Sequence, residues 1–358
     1  MRTRTTLSAL MLTALAAATL SGCSAPAPSD GDVSAAPTDA AQVTGPLNIA
    51  CSQQEDFCQS ITAAFSEATG IDATYVRLGS GEVLARLETT PGEFDIWSGG
   101  QAENHLIADD RGFIEAYVSP NAEKLPAQYN DADGIWSGFY TDSVGFCSNK
   151  AELKKLGVDA PTSWDDLLDP ALKGVVSMPH PATAGVGYMA MYTVETLNDG
   201  DTDETVDYFQ ELNENILQYS KSAATGTELT GRGEAAVAIS LDSDCVKAKE
   251  AGYSDLVVTY PKEGTGYEVG AVSVLKDARN AAAAQAYMDW ILTVDAQDLY
   301  ADVPSFAAPT LPDAERGETV PDQEKVDKVD WDLQDAADSR DALVGLFESD
   351  IASSATAQ

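Results

Sequence analysis

The sequence predicts an α/β chain of two lobes, each a mixed sheet flanked by helices, joined by a hinge of two crossing strands. Three observations carry that expectation. Strand, small polar loop and helix alternate three times between residues 46 and 110. Two extended segments, 136–149 and 267–275, are longer than an ordinary strand and divide the chain. About 310 residues follow the N-terminal segment, which suits two cores better than one.

Each element has a local reason. Residues 46–51 read as a first strand, and Ser52, Gln53, Gln54 and Glu55 as a polar turn with Asp56 capping the next helix. Phe57, Ile61, Ala64, Phe65 and Ala68 give that helix one apolar face, and Gly70 stops it. Residues 71–78 form a second strand, and Gly79-Ser80-Gly81-Glu82 opens a helix carrying Val83, Leu84 and Leu87. Residues 94–97 form a third strand ending in Ser98-Gly99-Gly100, before a helix over 102–110. Such alternation implies parallel strands with crossover helices, and ligands gather at the carboxyl ends of those strands.

Beyond the first long segment, 161–168 reads as a helix start with Ser163 as its cap. Val175 and Val176 begin a short buried strand that Pro179 and Pro181 close, and a helical pattern through Tyr188, Met189 and Tyr192 begins near Thr183. The loop His180-Pro181-Ala182-Thr183-Ala184-Gly185 therefore sits at a helix N-terminus, where first-turn amides lack internal partners and receive anions without a basic side chain. Strands follow at 216–220, 235–241 (ending in Asp242-Ser243-Asp244) and 256–260, then an amphipathic helix over 280–294 and a helical remainder with proline-rich connections to about residue 348. The crossing segments place 46–138 and 266–358 in lobe 1 and 139–265 in lobe 2, two lobes that close on a ligand in the cleft.

The ends and composition bound the rest. Arg2 and Arg4 precede an apolar run over 7–20, and Leu20-Ser21-Gly22-Cys23 looks like a bacterial lipobox. Residues 1–22 are read as a lipoprotein signal peptide, Cys23 as the lipidated residue, and 23–45, rich in Ala, Pro, Ser and Asp, as a disordered tether. The formal net charge is −37, and losing Arg2 and Arg4 with the leader takes it to −39. That excludes nucleic acid and anionic lipid surfaces as partners; the charge suits a salty habitat and does not identify a cationic ligand.

Cys51, Cys58, Cys147 and Cys245 remain for disulfides in an exported chain. Four cysteines allow three connectivities. Cys51–Cys58, close in sequence, and Cys147–Cys245, which requires neighbouring strands of one lobe, are the expected pairs. No CxxC occurs and His105 and His180 are the two histidines, so a zinc site is disfavoured.

The run from Cys51 to Asp56, the run from Leu78 to Leu87, Phe94-Asp-Ile-Trp-Ser-Gly-Gly100, Thr162-Ser-Trp-Asp-Asp-Leu-Leu-Asp-Pro170, Ser177-Met-Pro-His-Pro-Ala-Thr-Ala-Gly185 and Tyr260-Pro-Lys-Glu-Gly-Thr-Gly-Tyr267 together resemble the solute-binding proteins of ABC importers, in particular the ferric-ion-binding cluster. The resemblance spans nearly the whole chain after the tether. It implies the type II periplasmic-binding-protein fold, closure on a small-molecule solute, and delivery to an ABC permease and its ATPase subunit. Such a chain is an extracytoplasmic monomer, touching the outer face of the cell membrane only through its lipid anchor, with no cofactor.

Ferric-binding members place two adjacent tyrosines after the strand matching 237–241, where this chain has Asp242-Ser243-Asp244-Cys245. Members that take organic phosphates or phosphonates hold the anion on a loop matching 181–185, commonly Thr-Ser-Gly, here Thr183-Ala184-Gly185. A phosphate- or phosphonate-bearing organic is the first expectation. Ferric iron held by carboxylates and a synergistic anion is the alternative.

The candidate ligand-binding residues are the strand-end loops: Ser52, Gln53, Gln54, Ser80, Gly81, Ser98, Gly99, Tyr140, Thr141, His180, Thr183, Ala184, Gly185, Ser222, Asp242, Asp244, Glu263 and Tyr267. Taken singly, Ser80 and Thr183 serve equally as helix caps, and Asp242 and Asp244 as solvated turn acids. Convergence from two lobes is what makes them a site. No nucleophile elbow, metal-ligand motif or dinucleotide fingerprint occurs, so an enzyme is not expected.

Overall fold

The computed structural model describes residues 45–301 and 306–352. The signal peptide, Cys23 and the tether up to residue 44 lie outside the described residues. In the first part of the chain β1 (Leu47–Cys51), α1 (Glu55–Thr69), β2 (Ala73–Arg77), α2 (Ser80–Thr89), β3 (Ile96–Gln101) and α3 (Ala102–Asp110) follow one another. β4 (Ser137–Asn149) and α4 (Lys150–Leu156) come next, then β5 (Val176–Pro179), α5 (Gly185–Leu197), α6 (Thr202–Asn213), β6 (Ile216–Ser220) and α7 (Ala223–Gly231). β7 (Val237–Leu241), α8 (Asp242–Glu250), β8 (Leu256–Thr259), β9 (Tyr267–Val274), α9 (Ala281–Ile291), α10 (Val294–Asp298), β10 (Ala308–Pro309) and α11 (Leu333–Leu346) complete it.

The strands run in the order β2-β1-β3-β9-β4-β7-β5-β6, with β8 and β10 also on β4. β1 pairs in parallel with β2 and β3, and β5 with β6 and β7, as the βα alternation requires. The other pairings are antiparallel, which makes the sheet mixed. β4 is the shared member. Its residues Ser137 to Ser143 pair with β9, and its residues Val144 to Asn149 pair with β7 and β8. All thirteen of its residues are buried. β9 keeps to the first section, and the return crossing passes through Tyr260 to Gly266, whose last carbonyl accepts from the Val144 amide at 2.9 Å.

The sections have separate cores. Ile49, Phe57, Phe65, Phe139, Tyr287 and Tyr300 pack in the first, with Val83, Leu84, Leu87 and Trp97 in a cluster beside it. Phe146, Trp164, Met178, Met189, Phe209 and Ile239 pack in the second. Each fully buried side chain of this size contributes roughly 1.5–3 kcal/mol. α11 reaches across: Ala336 and Leu343 join the second core, whereas Ala337 joins the Val83 cluster of the first. Trp331, Phe347 and Ile351 also pack in the second core. Both expected disulfides are present, Cys51–Cys58 tying β1 to α1 and Cys147–Cys245 tying β4 to α8.

Three local expectations are corrected. Asp56 lies inside α1, where its carboxylate takes its neighbour's amide and the Lys247 ammonium; Gln54 occupies the cap position. Residues 165–168 form a single 3-10 turn; Ser163 accepts the Asp165 amide at 3.2 Å but Trp164 is the capping position. The Asp242-Ser243-Asp244 stretch is the first turn of α8 rather than a loop, because β7 ends at Leu241 and the chain turns directly into helix.

Candidate binding site

A cavity of about 570 Å³ lies where the two sheet sections face each other. Five helix N-termini open onto it. α1 contributes Gln54, α2 contributes Gly79 to Glu82, α5 contributes Ala184 to Val186, α7 contributes Ser222 and Ala223, and α8 contributes Leu241 and Asp244. Sequence explains why these ends are open. Gly79 and Ala184 occupy cap positions and carry no side-chain oxygen to occupy first-turn amides, and Gln54 forms no side-chain cap. Only Ser222 caps its own helix, accepting from the Thr225 amide at 3.3 Å. Aligned N-termini carry partial positive charge, so the wall they form attracts anions. Arg77 and Lys221 add two full positive charges to the lining, and Glu82, whose carboxylate accepts from the Gly79 amide, adds one negative charge.

The lining also carries buried acids. Asp244 and Glu268 line the cavity and are almost fully buried. Glu268 accepts from the Tyr140 hydroxyl at 2.5 Å and from the Gln101 amide at 2.9 Å. Asp244 accepts from the Gln54 amide at 2.8 Å, a bond that crosses from one section to the other. Burial raises Glu268 to about 7, against the pull of Tyr140 and Gln101. Burial likewise raises Asp244 to about 6, against Lys247 and Gln54. A second bond across the mouth joins Lys247 to both Asp56 oxygens, at 2.7 and 2.6 Å. The sections also touch where a side chain at Gly81 would lie 3.4 Å from the Ala182 carbonyl, and one at Gly185 would lie 2.1 Å from the Gln101 amide. The cleft is closed.

Of the residues expected from sequence, Ser52, Gln53, Gln54, Ser80, Gly81, Thr183, Ala184, Gly185, Ser222 and Asp244 line this cavity together. The other eight do not line it. Ser98 is buried with its hydroxyl on that of Tyr287, and the Gly99 carbonyl meets the His105 ring. Tyr140 and Thr141 sit one layer behind, bonded to the Glu268 carboxylate and carbonyl. Asp242 is saturated, accepting from the Ser143 and Ser243 amides, the Tyr260 hydroxyl and the Gln323 amide. His180 packs edge-on against Phe347 and Tyr219 and accepts the Ala182 amide, and partial burial lowers its proton affinity. Glu263 accepts from Ser163, and Tyr267 lies against Trp331. Arg77, Gln101, Lys221 and Glu268 are lining residues that sequence reasoning missed. Among the described residues, no group of three or more His, Cys, Asp or Glu side chains is placed to hold a metal ion.

A closed cleft between two sheet sections, entered by helix N-termini and spanned by one shared strand, defines a two-lobed solute-binding protein. The chain belongs to the bacterial extracellular solute-binding protein family, whose sequence model matches residues 103–336. Its fold is that of the type II periplasmic binding proteins, and its role is the solute-binding one of ABC importers. The structure is similar to the periplasmic binding protein AfuA from Actinobacillus pleuropneumoniae, solved with exogenous fructose-6-phosphate bound: 32% identity, 86% of this chain, 99% of that one, TM-score 0.82. An uncharacterized Haemophilus influenzae protein is 33% identical over 321 residues, 87% of this chain and 92% of the other. A Salmonella typhi protein provisionally named a 2-aminoethylphosphonate-binding periplasmic protein is 31% identical over 186 residues, 49% of this chain and 50% of its own length. The ferric binding protein of Campylobacter jejuni, at 20% identity over 84% of this chain and 98% of that chain, with a TM-score of 0.72, shares the fold.

Proposed function

We propose that this protein captures a small phosphate- or phosphonate-bearing organic solute between its two lobes and hands it unchanged to a membrane permease. The observation that carries the reading is the convergence of five helix N-termini, Arg77 and Lys221 on one closed cavity. That wall binds an anion through backbone dipoles and two cations, while Gln53, Gln54, Gln101, Asp244 and Glu268 remain for the organic part. AfuA, with fructose-6-phosphate, and the Salmonella protein, with its phosphonate name, support this solute class. Ferric iron is disfavoured, because the tyrosine pair is missing and no metal-ligand group is assembled among the described residues.

Lobes that follow the sheet sections run over 46–143 and 267–330 on one side and 144–266 on the other, with residues 331–352 packing mainly in the second core, which shifts the expected boundaries of 138/139 and 266–358. The N-terminal pattern ending at Cys23 supports a lipid anchor outside the cytoplasm, and the kinship with solute-binding proteins supports a binder rather than an enzyme.

Native mass spectrometry of the soluble chain, followed by calorimetry, tests this. We expect a copurified phosphorus-bearing organic, saturable binding of fructose-6-phosphate or 2-aminoethylphosphonate, and none of ferric iron. Thr183→Glu, which sets a carboxylate at the mouth of α5, is expected to abolish that binding. Iron binding without any organophosphate binding overturns the reading, and unchanged affinity of Thr183→Glu overturns the assignment of the loop.

A further inference from the structure

Four buried carboxyl groups from three elements gather about the cavity, Glu268 and Asp244 lining it and Asp242 and Asp142 outside its lining, and among the described residues none of these groups is in an ion pair. Glu268 comes from β9, Asp244 and Asp242 from α8, and Asp142 from β4, where the strand passes between the sections. Both Asp142 oxygens are buried without a well-aligned hydrogen bond, and the Ser243 side chain is a polar group beside them. Glu268 is faced by Tyr140 and Asp142 of β4, Gln101 of β3, Glu103 of α3 and Asp244 of α8. Asp244 is faced by Gln54, by Asp242, and by Lys247 and Arg77, whose charges favour its ionised form. Lys247 is already committed to Asp56. The cavity that Asp244 and Glu268 line is also the one onto which the helix N-termini open. An anion bound in this cavity therefore shares it with two carboxyl groups that are largely removed from water.

We propose that Asp244 and Glu268 are specificity-determining residues that make solute capture proton-linked: the site takes up a proton together with its anion, and the protonated carboxyl donates a hydrogen bond to the solute. This rests on the organophosphate reading above. The physical step is mutual. An anion near a buried carboxylate raises its proton affinity, by about one pH unit or more at close range. Linkage then requires that the proton strengthen anion binding equally. Both groups already titrate close to neutrality in the closed protein, at about 6 and about 7, so the exchange falls in the physiological range. The sign follows: ionised carboxylates repel the anion, so affinity falls as pH rises.

The test is calorimetry of fructose-6-phosphate with the intact soluble chain, at one pH near neutrality, in two buffers of different ionisation enthalpy. We expect net uptake of about one proton, and a dissociation constant that rises toward tenfold per pH unit above neutrality. The solute's own second ionisation, near pH 6, is common to every variant. Glu268→Gln and Asp244→Asn each flatten the profile in part, and the double variant removes the uptake. Fructose-6-phosphate binding with no proton uptake and a flat pH profile overturns this inference and leaves the solute reading standing. No organophosphate binding at any pH overturns both. The buffer comparison uses the native chain, so its outcome does not depend on a variant folding.

Discussion

The wall and the floor of the cavity are made of opposite materials. The wall is backbone: the N-termini of α1, α2, α5, α7 and α8, reinforced by Arg77 and Lys221. Its polarity comes with helix formation and costs no buried charge. The floor is side chain: Asp244 and Glu268, with Asp142 buried outside the lining, all removed from water by the packing of β4, β9 and α8. Keeping such groups dry opposes folding, and all three have raised proton affinity as a result. The contrast teaches that the attractive half of this site is provided by the fold, whereas the discriminating half is maintained against it.

That contrast can be broken at the wall with a single methyl group. Gly185→Ala puts a Cβ 2.1 Å from the Gln101 amide oxygen on the opposite section. Gln101 is no idle side chain: its amide nitrogen donates to Glu268, and its oxygen accepts from Ser80 and Asn104. Closing over alanine displaces that network, so solute affinity should fall at least about tenfold, one or two hydrogen bonds' worth. Unfolding temperature should stay near that of the native chain, because the clash belongs to the closed cleft. Equilibrium titration beside a thermal melt separates the two.

A buried carboxyl behind the cavity sharpens the floor's side of the contrast. Glu103 is fully buried on α3 and one of its oxygens has no hydrogen bond. Burial raises it from 4.5 to about 8. A carboxyl whose folded value is raised stabilises the fold fully below its free value and loses that contribution as pH rises through the folded one. Wild-type stability should therefore decline between about pH 4.5 and pH 8 on this account. Glu103→Gln should gain on the order of 2 kcal/mol relative to wild type at pH 8 and little at pH 5. Denaturant titrations at both values measure it; a parallel shift at both removes Glu103 as the cause.

The smallest effect belongs to the rim. Lys247 and Asp56 are 27% and 41% exposed, so solvent screens the pair that joins the two sections. Lys247→Ala should weaken solute affinity about two- to threefold at low salt, and the difference should vanish in about 1 M salt. A larger, salt-independent loss would mean that the rim holds the cleft shut.

Much of the scaffold was legible in the sequence, because it is local. The alternation over 46–110, the helix stop at Gly70 and the long strand expected over 136–149 all rest on neighbours within a few residues, and β4 runs Ser137–Asn149. Ten cavity residues were likewise readable as polar strand-end loops. What was not readable depends on distant partners. His180 stands in a loop that looks like a ligand loop, but its ring is claimed by Phe347, 167 positions later. Arg77 and Lys221, single charges at the ends of β2 and β6, look like ordinary solvated ends until the fold closes around them. Glu268 and Asp142 did leave a signal. Each is an acid inside a long, otherwise uncharged strand, which is an expensive place for a charge without a purpose.

Strand order has a consequence for how the chain is made. β9 lies between β3 and β4 in the sheet, yet it is synthesised more than a hundred residues after β4 begins. Until residue 274 has left the ribosome, the first section has a gap at its centre and β4 lacks the partner for its leading half. A chain exported in the unfolded state must cross the membrane before it folds. Here the topology itself postpones completion, since the long-range pairing that seals the sheet comes late and slowly, and the unfinished chain keeps the looseness that export machinery needs.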